Sequence, residues 1–529
     1  VSNFENMSDA AAAIDIEYSE VEAPDNNSNG IGKKKKPTTA EDLVKIGLNA
    51  ELWTEGGVAW ATIEVGDHFE NRPISRHDFR EYLSGVYFET TGMVANDKAL
   101  RSTCEILSFN ARKYTKYTTS NRWTRFGDRI YCDLGRADWS VVEISREGWR
   151  ILPMAPAPVK FRHSATMKEL PLPVAGGSMK RLKEFCSCTD EGFTLITGAI
   201  LDACKGFGPY FCTSLIGEQG SGKSIVCRFI RRIVDPVLVG ELSGKPKSEH
   251  DLGVQAQHEH ILAYDNVSYI DSEFSDVLCR ASTGGGIKTR KLYSNDEMMT
   301  LAICSPVLCN SIPEVITAQD LASRSIIVRQ PVIEHRMEEK VLFAAFDEEL
   351  PRMFGALLDL MVRGLGSDEV ELPTLGRMAD SIRWVTACMG DLTFYNVHRA
   401  VEETNQTESL DDSLLLELLR VELADAKGTL ELTAGNLHHL LTGACNGDHE
   451  KLKKLPQTAR ATAGQLRRFA PALRKAWKWD ITERTLDGRK MIRIEAIRNC
   501  PKLTTIPGTE IPVSEFFTEL KSCVPNYPN

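Results

Sequence analysis

Long apolar runs are missing from the 529 residues: none reaches the roughly 18 positions that a membrane-spanning helix needs. The N-terminus also lacks the basic-then-apolar pattern of an export signal. Together these absences point to a cytosolic protein with no membrane as partner. The 14 cysteines are scattered, and only Cys186 and Cys188 stand close together. No second pair follows at zinc-ligand spacing, so the cysteines read as reduced and structural rather than metal-binding. A paired-carboxylate polymerase site is missing as well, so primase chemistry is not expected of these residues. Positive charge is absent from residues 1–32, and the whole chain carries a formal net charge of -10. That balance excludes a uniformly basic nucleic-acid binder. The basic residues are concentrated instead: residues 451–500 hold fourteen Lys and Arg against four acids, Asp480, Glu483, Asp487 and Glu495.

What is present centres on Gly217-Glu218-Gln219-Gly220-Ser221-Gly222-Lys223-Ser224, which reads G-x-x-x-x-G-K-S. An apolar, β-prone stretch, Tyr210 to Ile216, precedes it, and a helical pattern from Ile225 to Val234 follows. Strand, glycine loop and helix in that order are what a phosphate-binding loop requires. Glycines at 220 and 222 let the backbone curl so that its N–H groups face phosphate oxygens. The positive end of the following helix adds to the attraction. Lys223 is expected to reach the β- and γ-phosphates, and the Ser224 hydroxyl to ligate Mg²⁺. The expected ligands are ATP and Mg²⁺, held along Gly217–Ile225.

Further on, Glu259 to Asp265 is a short apolar strand ending in a carboxylate, the arrangement expected to place Asp265 beside the loop and its metal ion. Arg280 to Tyr293 contains Gly284-Gly285-Gly286 followed by Lys288, Arg290 and Lys291. It reads as a hairpin whose turn the glycines supply and whose tip is basic; ordinary surface charge is an equally good reading. Thr300 through Cys309 reads as a buried strand ending in Asn310. On its own Asn310 suits a turn former, and Arg324, before the strand Ile326–Val328, suits a surface residue.

The expected fold class is α/β. Residues 1–40 form a polar, acidic leader ending in Lys33–Lys36, and residues 41–178 a small α+β accessory domain closed by the proline-rich stretch 153–173 and Gly176-Gly177. The P-loop core spans 179–335. Helices 336–346, 351–362 and 378–389 make a helical lid over 336–405. Residues 406–500 read as a winged-helix module, with helices 414–423, 433–441 and 461–477 and a hairpin turning at Asp487-Gly488. The tail, 501–529, contains one short helix, 513–520. In the module, Arg467, Arg468, Arg474 and Lys475 on the last helix, with Arg489 and Lys490 on the hairpin, are the expected contacts to duplex or forked DNA. A basic protein-docking face is the alternative. Pro471 should kink or split that helix.

As a set, Gly217–Ser224, Tyr264-Asp265-Asn266, Ser282–Gly286, Arg290–Tyr293, Pro306–Asn310 and Asp320–Arg324 resemble the superfamily 3 helicases, AAA+-like ring proteins of viruses and mobile elements. The likeness is strongest to the helicase portion of phage and mobile-element primase–helicases. It implies an AAA+-like core and a homo-oligomer, a hexamer, with single-stranded DNA in its pore. It makes Asp265 the Walker B acid, Asn310 a sensor, and Lys288, Arg290 and Lys291 pore-loop residues. Arg324 becomes an arginine finger that reaches the neighbouring subunit's nucleotide, and Arg336 or Arg377 a lid residue that senses nucleotide. The implied function is an ATP-dependent DNA helicase or translocase in mobile-element or phage replication. One residue departs from the pattern: Asn266 follows Asp265 where many AAA+ ATPases carry a Glu that activates water. The base would then be Asp265 itself, Glu218 or Glu259. Asn266 also fits a second function, an origin-binding initiator or ATP-gated DNA-binding switch with little unwinding.

Overall fold

The computed structural model describes residues 39–496, apart from 115, 154–158, 291–297, 334–335, 368–369, 412 and 487. Residues 1–38 of the leader, Lys291 and the tail with its expected helix lie outside the described residues, and positions 39 and 40 of the expected leader open the first helix.

A three-stranded antiparallel sheet (Glu51–Glu55, Val58–Val65, His68–Pro73) opens the chain, with helices Thr39–Leu48, His77–Thr91 and Asp97–Ala111. Leu43, Ala61, Ile63, Phe79, Leu83 and Leu107 close its small core. A second antiparallel sheet follows in simple up-and-down order: Trp123–Phe126, Arg129–Asp133, Val141–Ser145 and Gly148–Leu152.

One face of this second sheet closes a small cluster, Tyr131 and Val141 with Val159 and Phe161, but the other face has no core of its own. Trp123, Ile130, Val142 and Ile144 belong to one buried cluster with Phe229 and Ile230 of the helix after the glycine loop and with Phe354 and Leu357 farther on. The hydrophobic core thus crosses position 178. Arg122 explains how. Wholly buried, it donates from Nε to Asp235 at 3.0 Å and from its two Nη atoms to the carbonyls of Asp133, Lys168 and Pro236. Asp235 in turn accepts the His260 backbone N–H at 2.7 Å, just ahead of the strand that carries Asp265. Burial alone would raise the Asp235 carboxyl, but the Arg122 guanidinium, then Arg231 and His260, hold it below the usual carboxylate value. Its folded pKa therefore lies under its unfolded one. The stability it contributes is complete above an unfolded pKa of about 3.9 and is lost as pH falls through the folded value. Arg122→Met, which strands the buried carboxylate, should cost about 3–5 kcal/mol. Urea unfolding at pH 7 measures this, and a loss no larger than that of a surface substitution would contradict it.

The central sheet has four parallel strands in the order Leu262–Tyr264, Val307–Ser311, Cys212–Ile216, Ser325–Arg329. Cys212–Ile216 and Val307–Ser311 are buried at every residue, as strands covered on both faces must be. The expected single strand 300–309 is two. Met298–Ile303 pairs antiparallel with Gly285–Arg290 in a separate hairpin, and only Val307–Ser311 enters the central sheet. Pro306, which has no N–H to give a ladder, stands at the break. The glycines also differ from expectation. Gly284 caps the preceding helix Ser272–Thr283 with φ of 93°, and Gly285 and Gly286 lie in the first strand, paired with Ile303 and Ala302. They start the hairpin rather than turn it. A Cβ at Gly286 would come within 2.6 Å of the Thr300 methyl.

Helices Glu339–Gly366, Ala379–Met389 and Thr393–Asp411 complete this part. The expected break before Pro351 is absent: one helix of 28 residues runs through it. Proline inside a helix costs about 3 kcal/mol. The helix buries Phe346, Leu350, Met353, Phe354, Leu357, Leu358 and Met361 on both sides of Pro351, which outweighs that cost. The linker before the core packs on the same helix, with Val174 N–H bonded to the Pro351 carbonyl at 2.9 Å.

After residue 412 come helix Leu414–Asp425, strand Thr429–Thr433, helices Ala434–Gly443, His449–Lys454 and Ala459–Ala476, and the hairpin Trp479–Leu486 with Arg489–Ala496. The strand Arg489–Ala496 is the middle one of three. Thr433 caps its helix as its residue type suggests, accepting the Asn436 N–H. Pro471 sits within the helix Ala459–Ala476 without dividing it.

Candidate functional site

The glycine loop leaves the end of the buried strand Cys212–Ile216 and enters the helix Lys223–Val234. Gly220 and Gly222 have φ of 85° and 76°, in the left-handed region that glycine tolerates. Val226, Cys227, Ile230, Ile233 and Val234 bury one face of the helix and fix its N-terminus under the loop. Lys223 is buried, and its Nζ donates to the carbonyls of Gly217 at 2.8 Å and Glu218 at 2.7 Å and to Ser221 Oγ at 3.2 Å. Burial pulls its pKa below the ordinary lysine value.

The strand order brings the remaining groups to the loop. Val307–Ser311 lies between the strand of the loop and the strand of Asp265, with Asn310 opposite Leu215. Ser224 Oγ donates to Asp265 Oδ1 at 2.8 Å, and Asn310 Nδ2 donates to the same oxygen at 2.7 Å. Asn310 Oδ1 accepts the Asn266 N–H at 2.9 Å. Asn310 thus holds the carboxylate on one side and the backbone after it on the other. Lys223, Ser224, Asp265 and Asn310 converge as expected. A hydroxyl and a carboxylate in contact are hard oxygen donors that suit Mg²⁺ together with phosphate oxygens and water. Among the described residues no group of three or more His, Cys, Asp or Glu could hold a metal ion without such help.

The candidate bases separate. Glu259 sits before the strand, where its carboxylate takes Arg231 Nη2 at 2.7 Å and Gln255 Nε2 at 3.1 Å, so it is committed away from the loop. Glu218 is exposed in the loop itself. Asn266 is exposed and takes φ of 50°.

Two further residues neighbour the loop, and the first carries no motif signal. Gln330 follows the strand Ser325–Arg329 and bonds its N–H to the Ile216 carbonyl at 2.8 Å. Its side-chain amide is 5% exposed and has no hydrogen-bond partner among the described residues. A Cβ at Gly217 would lie 2.6 Å from its carbonyl oxygen. Arg336 places its guanidinium against Gly220.

Arg324 lies at the other end of the sheet. Its carbonyl accepts the Cys212 N–H at 3.0 Å, and Ser325 pairs with Cys212, five positions before Gly217. At about 3.3 Å per strand residue, ~16 Å separates its backbone from the loop of its own chain. Arg324 Nη1 bonds Asp320 through the backbone carbonyl at 2.7 Å and through Oδ1 at 2.8 Å. Arg377 Nη1 bonds the same Oδ1. The two lid arginines therefore part company: Arg336 stands at the loop, Arg377 with Arg324.

The expected DNA contacts fall in two places. Lys288 and Arg290 are on the hairpin, in register with Thr300 and Met298. In the C-terminal module Arg467 pairs with Glu483 at 2.5 Å, Arg474 with Asp480 at 2.8 Å, and Lys475 with Glu403 at 3.0 Å. These partners occupy much of the helix's expected basic face, although exposed pairs of this kind are weak. Arg489 and Lys490 are exposed at the start of the last strand, and Arg468 is exposed near Arg377.

Among the described residues no helix is long and apolar enough to cross a membrane. Residues 177–405 match the family model for the actinomycete integrative conjugative element replication protein, and residues 415–507 match that for the RepA C-terminal domain of the same elements. Among solved structures, the chain is similar to the SCCmec type IV Cch active helicase at 11% identity and a TM-score of 0.44, over 84% of this chain and 93% of that one. It is also similar to the apo C-terminal region of NrS-1 at 12% identity and a TM-score of 0.39, over 86% of this chain and 99% of that one. No curated protein matches the chain.

Proposed function

We infer that this chain, whose residues 177–405 and 415–507 match the models of actinomycete integrative conjugative element replication proteins, works as an ATP-dependent, ring-forming DNA helicase or translocase. The observation that carries the reading is the division of charge across one sheet. Lys223, Ser224, Asp265 and Asn310 gather at one end, and Arg324 stands at the other, out of reach of its own loop. A phosphate-binding loop with its carboxylate and amide in place, and an arginine aimed elsewhere, make sense when a second subunit completes each site.

In this reading the N–H groups of Gly217–Ile225 cradle the phosphates, and Lys223 turns from the loop carbonyls to the β- and γ-phosphates. Ser224 and Asp265 would hold Mg²⁺, whose chemistry is to offset the charge of the transferring phosphoryl group. Asn310 orients Asp265 and the water near it. Asp265, or Glu218 from the loop, takes the water's proton, since Asn266 cannot. Arg324 of one subunit neutralises charge at the neighbour's nucleotide. The hairpin with Lys288 and Arg290, which Lys291 follows in sequence, faces single-stranded DNA in the ring. The C-terminal module is a winged helix on duplex or forked DNA, its weak ion pairs exchanging for phosphates. Priming comes from a primase or polymerase partner.

Asn266 supports a second reading, an ATP-gated origin-binding initiator or switch that binds DNA without unwinding it. Strand displacement on a forked duplex separates the two. The helicase should displace the strand with ATP and not with a non-hydrolysable analogue. ATP-dependent binding with no displacement in either case would select the switch.

A further inference from the structure

We propose that Arg377 is a second phosphate-gripping arginine beside Arg324, the pair being held together by Asp320 and offered to the nucleotide of the adjacent subunit. The proposal rests on the shared-site reading above and moves Arg377, which the resemblance offered as a lid sensor, to the side of Arg324.

One carboxylate oxygen, Asp320 Oδ1, accepts both Arg324 Nη1 and Arg377 Nη1. A single carboxylate offsets only one of the two guanidinium charges, so the cluster keeps a net positive charge. It is also open: the Asp320 and Arg377 side chains are 50% and 53% exposed. Asp320 and Arg377 border a cavity of about 520 Å³ that Asp276 and Arg468 also line, and with Arg324 bound to Asp320 three guanidiniums stand against two carboxylates there. Such a site favours an anion. Two planar forks set at a fixed separation match the oxygens of a terminal phosphate better than one does. Asp320 gives that geometry in advance, so less freedom is lost on binding. Exposed ion pairs are weak, and an incoming phosphate displaces the carboxylate readily. No phosphate held at the same chain's glycine loop can reach the cluster, because Arg324 marks the opposite end of the sheet. The anion must come from another subunit. Arg377 also directly precedes the helix Ala379–Met389, which buries Ile382, Trp384 and Val385 in the main core. Its engagement therefore ties the neighbour's nucleotide to that helix.

The experiment is subunit mixing in the full-length protein. Arg377→Ala should bind a fluorescent ATP analogue and assemble as the parent does, yet hydrolyse ATP about 10-fold or more slowly. Lys223→Ala should be inactive. Mixed in equal amounts, the two should recover activity, because some interfaces pair an intact loop with an intact arginine. Asp320→Asn should lower kcat, leave KM for ATP in place, and recover in the same way with Lys223→Ala. The control is the mixture of Arg324→Ala with Lys223→Ala. If the control recovers while Arg377→Ala keeps the parental rate, or loses it without recovery, the second arginine is refuted and the shared site stands. If neither mixture recovers, both ideas fall.

Discussion

Arg324→Ala should leave ATP binding at its parental affinity and reduce hydrolysis by the assembled protein by about 10³-fold. Arginine is often a surface residue before a strand, so the size of this effect rests on position. Arg324 directly precedes the strand whose far end, Arg329, pairs with Ile216 beside the loop. A side chain at its base cannot touch a nucleotide at its top. The guanidinium is 17% exposed and held by Asp320 rather than free in solvent. Removing it takes nothing from the loop, which is why binding should persist. Turnover and equilibrium binding of a fluorescent ATP analogue are the two readouts. Hydrolysis at the parental rate would mean that each chain completes its own site. Loss of binding along with turnover would mean that the substitution acts through the fold.

Lys223→Ala should differ in that it removes both. Its Nζ has three acceptors within the loop, and in the proposed reading these give way to phosphate oxygens when nucleotide enters. A lost charge-assisted interaction of about 1.5–3 kcal/mol corresponds to roughly 10- to 100-fold weaker binding. Turnover should fall below detection, because the same ammonium faces the charge that develops on the phosphoryl group. Burial without a phosphate already draws the Lys223 pKa down, and a bound polyanion reverses that strain. The measurement is the rise in Tm with added ATP, which the parent should show and Lys223→Ala should largely lose. An undiminished rise would mean that nucleotide binds elsewhere.

The glycine loop was readable because its chemistry needs fixed residue types at fixed spacing. The carboxylate at 265 was readable for a similar reason, as the end of an apolar strand. Asn310 needed the strand order: it matters because Val307–Ser311 lies between the other two strands, and sequence order does not reveal that. Burial was the least legible. Trp123 meets Phe354 edge-on, with ring centroids 6.3 Å apart, and no local pattern announces a contact over that distance in the chain. The same long-range packing carries a helix through Pro351 and draws one face of the sheet of Trp123–Leu152 into the main core. The hairpin glycines misled because the residue type signals backbone freedom or close approach alike, and at Gly286 the strand's own neighbour, Thr300, is what crowds the position. Arg377 was only one of two lid arginines until Asp320 was seen to hold it with Arg324.

The central claim is that one chain alone does not make a working site. Its most direct test follows the rate of ATP hydrolysis per chain and the particle mass together through one dilution series, with DNA present. A closed ring of six chains should carry the activity, and the rate per chain should fall as rings give way to single chains. Single chains that hydrolyse ATP at the undiluted rate would contradict the account.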